Sequence, residues 1–235
     1  MKKQSIVTSL FASALLLGGP SLVFAETSSG SSTATITFET NKAPDILDPA
    51  NPDDSYTPDP GKGENTPTGN TGPLTLDYAP NFNFGTHEIL GSDAIFESTD
   101  EKPFLQVTDR RVVLSEWTVT AKLNTFTSGG ENTLPGASLS IAEGIVNTPT
   151  YNIGATAPVT SAIELIAGGE AVDILTSTAG SPYSWLLSWL GTDVSPETDG
   201  SLWSNANITL NVPLNQQIKG THVATIDWVL TDSIP

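Results

Sequence analysis

"THVATIDWVLTDSIP", residues 221–235, closes the chain and decides how the rest of it reads. Ala224, Ile226, Trp228 and Leu230 are spaced two apart, so on an extended backbone they share one face. Thr225, Asp227, Val229 and Thr231 fall on the other. An earlier stretch, "SEWTVTAKL" at residues 115–123, repeats the arrangement. Trp117, Val119, Ala121 and Leu123 line one face there, and Thr118, Thr120 and Lys122 the other. A strand that is apolar on one side and polar on the other is half-buried, so both tryptophans are expected to point into a core.

The pattern extends outward from these two segments. "PLTLDYAPNFNFG", "PFLQVTDRRVVLSEWTVTAKL", "ASLSIAEGIV", "TSAIELIAGG", "AVDILTS", "SWLLSWLG" and "NITLNVP" are short runs rich in Thr, Val and Ile, bounded by Gly, Pro, Asn or Asp. Capped stretches with helical period are missing. The chain therefore reads as all-β: an antiparallel β-sandwich or barrel-like domain of roughly ten short strands. "YSWLLSWLG" brings Trp185, Leu187 and Trp189 to one face and Leu186 and Leu190 to the other. A strand apolar on both faces is either central in a sheet or part of an exposed patch. Trp203, in the turn-rich "DGSLWSN", is the candidate for an exposed ring.

Residues 1–25 carry the marks of a secretory signal peptide. Lys2 and Lys3 precede the apolar run Ile6 to Leu17, which is too short to span a bilayer, and Val23-Phe24-Ala25 offers a cleavage site. The mature chain is then a single domain, residues 26–235. "TATITFE", residues 33–39, alternates as a strand. Residues 44–73 contain eleven Pro or Gly and six acidic residues in thirty positions, a composition with too little apolar surface to offset its ordering entropy. This stretch is expected to form a mobile loop, the first site of proteolysis. Its Asp45, Asp48, Asp53, Asp54 and Asp59 are calcium-ligand types without the spacing of an EF-hand loop, so no metal site is assigned.

The whole sequence has nine basic and 26 acidic residues, a net charge of −17. Losing Lys2 and Lys3 with the signal leaves a net of about −19, which repels nucleic acid and anionic lipid surfaces. Neither is expected as a partner, and no membrane insertion is expected. With no cysteine there is neither a disulfide framework nor thiol chemistry. Nor does the sequence contain a second long apolar run, an LPxTG-like sorting signal or a lipid-accepting cysteine at position 26. The two histidines, His87 and His222, lack metal-ligand spacing, and no nucleophile elbow or phosphate-cradling glycine loop accompanies them. No catalytic residue and no cofactor are assigned, and the chain reads as a binder, not an enzyme.

These segments taken together resemble the WxL-domain cell-surface proteins of low-GC Gram-positive bacteria. The resemblance runs from "TATITFE" and the Pro/Asp-rich stretch through "LDYAPNFNFG", "VTDRR", "WTVTA", "LPGASLSI" and "ITLNVP" to "ATIDWVLTDSIP". The two tryptophan motifs are Trp117-Thr-Val119 and Trp228-Val-Leu230, the first departing from the pattern by a single methylene. The resemblance implies a secreted protein held non-covalently at the cell wall, with peptidoglycan as ligand and membrane-anchored proteins of the same gene cluster as companions. The competing reading is a protein-interaction module for such a membrane-anchored partner or a host matrix protein, motivated by "SWLLSWLG". With Trp117 and Trp228 turned inward, Trp203, Thr225, Asp227 and Thr231 become the candidate ligand-binding residues.

Overall fold

The computed structural model describes residues 28–37, 42–190 and 204–232. Residues 28–37 belong to a separate N-terminal unit and carry no regular secondary structure. The strand expected over residues 33–39 is therefore absent from residues 33–37, and Phe38 and Glu39 lie outside the described residues. An alternating pattern alone does not make a strand where no neighbouring strand accepts its backbone hydrogen bonds.

In the main unit the described residues form fourteen strands: β1 (Leu74–Tyr78), β2 (Ala94–Ser98), β3 (Phe104–Asp109), β4 (Trp117–Leu123), β5 (Phe126–Ser128), β6 (Glu131–Thr133), β7 (Ser138–Ile141), β8 (Ile145–Asn147), β9 (Val159–Thr160), β10 (Ile163–Ile166), β11 (Val172–Ser177), β12 (Tyr183–Ser188), β13 (Asn205–Val212) and β14 (Ile226–Asp232). Three four-stranded antiparallel sheets have the orders β1-β3-β12-β8, β10-β7-β13-β2 and β14-β4-β11-β9, and β5 and β6 form a two-stranded sheet of their own, with Thr127 also bridging to Val223. The arrangement is sandwich-like and does not close into a barrel. Helical geometry among the described residues is confined to three 3-10 turns.

The strands that pattern reading leaves out are β2, β9 and the β5–β6 hairpin. The hairpin pairs Ser128 with Glu131 across Gly129 and Gly130. Both glycines have positive φ, 59° and 89°, which is what a two-residue turn matched to strand twist demands and what glycine supplies without strain.

One core unites inward side chains of all three large sheets. It includes Leu105, Val107, Trp117, Val119, Leu139, Ile141, Leu175, Leu187, Trp189 and Ile208. Strand β12 lies between β3 and β8, so the described part of "SWLLSWLG" is central, and residues 184–189 are buried on both faces. Trp185, Leu186, Leu187 and Trp189 are each at most 3% exposed. No interface patch is made from them, and the apolar-surface motive for a protein-docking module falls away. Gly144 allows the close approach of the β7–β8 connection to this strand. A Cβ there would stand 2.5 Å from Leu187 Cδ1 and 3.0 Å from the Ser188 carbonyl oxygen.

The expectation that residues 44–73 have nothing to pack on does not hold. Ile46 is buried in a second apolar cluster with Tyr78, Phe104 and Leu186, and Leu47 and Tyr56 pack against it. These residues cover the outer face of the β1-β3-β12-β8 sheet. The Tyr78 and Phe104 rings stack at 4.4 Å, and Tyr56 meets Phe104 edge-on at 5.8 Å. Beneath them Gln106 Nε2 donates to the Asp45 carbonyl at 2.9 Å and to Asp77 Oδ2 at 3.0 Å, while its Oε1 accepts from the Leu47 amide at 2.9 Å. Asp77 also accepts from the Thr75 and Thr108 hydroxyls at 2.6 Å each. Burial pushes its carboxyl above the usual carboxylate range, against these three hydrogen bonds, which pull it down. Composition misses this because a few apolar residues suffice when the surface they meet is already built by other strands.

Candidate functional site

The two tryptophan motifs lie side by side. Strands β4 and β14 pair antiparallel with Asp232 opposite Trp117, Leu230 opposite Val119, Trp228 opposite Ala121 and Ile226 opposite Leu123. All eight residues therefore share one face of one sheet. On β4, which has neighbours on both sides, Trp117 and Val119 are fully buried. On β14, the edge strand, Trp228 and Leu230 are half-buried and pack against the same core. Trp228 meets Phe82 edge-on, ring centroids 6.3 Å apart. An edge position leaves one flank uncovered, which is why equivalent residues differ in exposure.

The far end of β14 is pinned by charge. Arg111 forms a two-pronged pair with Asp109, Nε to Oδ1 at 2.9 Å and Nη2 to Oδ2 at 2.7 Å, and Nη1 donates to Asp232. The Asp109 side chain is wholly inaccessible and that of Arg111 is 10% exposed. The Ser115 hydroxyl donates to Asp232 Oδ1 at 2.9 Å. That bond first, and Arg111 second, hold the Asp232 carboxyl below its usual range. The charged turn "TDRR" is thus the anchor of the last strand, a role that its sequence alone does not disclose.

With the tryptophans inside, the other face of the sheet looks out. Register places Thr231, Thr118 and Thr176 in one row across β14, β4 and β11, Val229, Thr120 and Asp173 in the next, and Asp227 beside Lys122 in a third. Thr225, Asp227 and Thr231 are all exposed. Asn124 Nδ2 donates to both Thr225 Oγ1 and Asp227 Oδ2 at 2.9 Å, so these two candidates share one bracket. Thr231 stands at the opposite end of the strand. Trp203 lies outside the described residues. The face offers hydroxyls at about 4.8 Å across strands and about 6.8 Å along them. Such a surface can hydrogen-bond an extended polar polymer but presents no nucleophile, base and orienting acid together.

A second feature escapes strand-pattern reading. At the other end of β14 a groove of about 710 Å³ is lined by Phe82, Phe84, Phe96, Ile218 and both histidines. The His87 ring lies tilted against Phe96, centroids 4.3 Å apart, and its Nε2 bonds to the Phe84 carbonyl. His222 Nε2 donates to the Ile218 carbonyl at 3.0 Å, leaving Nδ1 to accept from the Thr133 hydroxyl at 3.0 Å. Among the described residues neither ring has a carboxylate as hydrogen-bond partner, although Glu88 also lines the groove. The aromatic "NFNF" of residues 81–84 was the available signal for this groove.

Among the described residues no group of three or more His, Cys, Asp or Glu could hold a metal, and no helix is long and apolar enough to cross a membrane. A family model for the WxL domain, described as a surface, cell-wall-binding domain, matches residues 25–233. The chain belongs to that family, and so to a class of surface proteins that bind the cell wall. No curated protein and no solved structure matches it.

Proposed function

We propose that this chain is a secreted, non-enzymatic protein of the Gram-positive surface, held to the wall by binding peptidoglycan through the outward face of the β14-β4-β11-β9 sheet. The observation that carries this reading is the pairing of the two motif strands. Trp117 is buried and Trp228 packs half-buried against the same core, and threonines with Asp227 and Lys122 are left on the opposite face. A hydroxyl-bearing sheet face suits repeated hydrogen bonds to a glycan or stem peptide, where many weak contacts add along a polymer. On this reading the motif acts indirectly, by fixing the sheet that carries the contacts.

Sedimentation with purified sacculi stripped of teichoic acid tests it. The chain should pellet with the wall, and the triple variant Thr225→Ala, Asp227→Ala, Thr231→Ala should lose at least about tenfold in affinity while melting within a few degrees of wild type. Wild type left in the supernatant would overturn peptidoglycan binding, and a triple variant that pellets normally would overturn the face. Export itself predicts an N-terminus near Glu26 on the protein recovered from the cell surface. Sequencing that finds residues 1–25 retained there rejects cleavage.

A further inference from the structure

Two tyrosines at one end of the β1-β3-β12-β8 sheet are built in a way that the fold itself does not require. Tyr151 and Tyr183 are 67% and 52% exposed, and their rings meet at a right angle with centroids 5.9 Å apart. Tyr183 has φ of +65°, in the left-handed region that side chains other than glycine enter at a cost. Non-glycine residues held in such conformations cluster at ligand clamps, where the surrounding structure imposes them.

The imposing structure is visible. The Pro182 carbonyl, immediately before Tyr183, accepts from Asn152 Nδ2 at 3.0 Å and Trp185 Nε1 at 2.9 Å. Asn152 is buried and adjoins Tyr151, so one side chain ties the two tyrosine-bearing segments together. Tyr151 begins from Thr150, whose amide and hydroxyl both donate to Asp53 Oδ1, at 2.8 and 3.0 Å. The backbone on which each ring stands is thus held, while both rings stay more than half exposed. Among the described residues neither phenol oxygen has a hydrogen-bond partner.

We infer that Tyr151 and Tyr183 form a saccharide subsite that grips the glycan strand, one ring lying under a pyranose face and the other standing beside it. The chemistry favours a neutral sugar. Aromatic faces carry a negative quadrupole that meets the C–H edge of a pyranose, and the free phenols can bond its hydroxyl or acetamido groups. A chain of net charge −17 disfavours a polyanionic ligand at the same place. The inference rests on the glycan part of the peptidoglycan reading but uses a different surface from the threonine face.

Titration of the full chain with the β-1,4-linked N-acetylglucosamine tetramer, followed by NMR of the tyrosine rings, tests it. Saturable shifts of the Tyr151 and Tyr183 signals are expected, with affinity reduced at least tenfold in both Tyr151→Ala and Tyr183→Gly. Tyr183→Gly should melt at or above wild type, because glycine occupies φ of +65° without strain; a tyrosine kept for stability would instead lower the melt. Absence of shifts at both rings, or unchanged affinity in the two variants, overturns the subsite. If sacculi pellet the chain but the tetramer leaves both rings unmoved, the subsite fails and wall binding stands. If the tetramer moves both rings while sacculi fail to retain the chain, the subsite stands and wall retention fails.

Discussion

Trp117→Ala should cost about 3–5 kcal/mol of folding free energy, and Trp228→Ala roughly half as much. The two residues occupy equivalent motif positions on neighbouring strands, but Trp117 is wholly buried on a central strand and Trp228 half-buried at an edge. Truncation of Trp117 leaves a cavity inside the shared core, where the surroundings relax only in part. Truncation of Trp228 leaves a notch that water and Phe82 can fill. Against a net stability of about 5–15 kcal/mol, the first loss is a large fraction of the total. For a domain of this size it corresponds to a fall in melting temperature of about 6–20 °C.

The indole N–H of Trp117 sharpens the test, because it is buried without an acceptor. A buried, unpaired donor costs about 1–3 kcal/mol. Trp117→Phe removes that penalty along with part of the ring, so it should lie much closer to wild type than Trp117→Ala. Thermal melts and sacculus sedimentation on the same preparations separate core from contact. A Trp117→Ala protein that melts like wild type but no longer pellets would reverse the assigned faces.

The alternation in "SEWTVTAKL" and "ATIDWVL" was enough to place the tryptophans inside and the threonines outside, because a half-buried strand leaves a period-two record. It could not show that the two strands are neighbours, since their pairing spans more than a hundred residues of chain and depends on register set elsewhere. The same limit explains "SWLLSWLG". Its apolar character on both faces fits a central strand or an exposed patch equally, and only the position of β12 between β3 and β8 decides it. In residues 44–73 composition missed the packing of Ile46, Leu47 and Tyr56, although most of the stretch is exposed. The cluster around Ile46 draws most of its apolar surface from Tyr78, Phe104 and Leu186, residues far along the chain. Polar networks were the least legible part. Nothing in "TDRR" distinguishes a solvated turn from the bracket that holds the last strand, and Tyr183 carries no sequence mark of its left-handed backbone.

Arg111→Met should be the most damaging single change outside the apolar core. It removes the partner of a carboxylate whose side chain is fully inaccessible, and breaking a buried pair from one side costs about 3–5 kcal/mol, chiefly through the charge left behind. The double variant Arg111→Met, Asp109→Leu removes both charges and should recover most of the loss, since the pair as a whole contributes little net stability. A single variant as stable as wild type would show that Asp109 is hydrated and the bracket dispensable. The consequence for the last strand can be read separately at Asp232. Its carboxyl is depressed in the folded protein by Ser115 and Arg111. The stability linked to it is therefore present above the unfolded-state value and lost as pH falls through the folded one. In Arg111→Met the Asp232 titration should move up toward the ordinary carboxylate range, stopping short of it while Ser115 still donates. The end of β14 should then release at a higher pH than in wild type. Hydrogen exchange of the Leu230 to Asp232 amides measured across that range should show the strand fraying from its last residues first, with the amides of β4 still protected by β11. If those β14 amides exchange no faster in the variant, the strand is held by its tryptophan face alone.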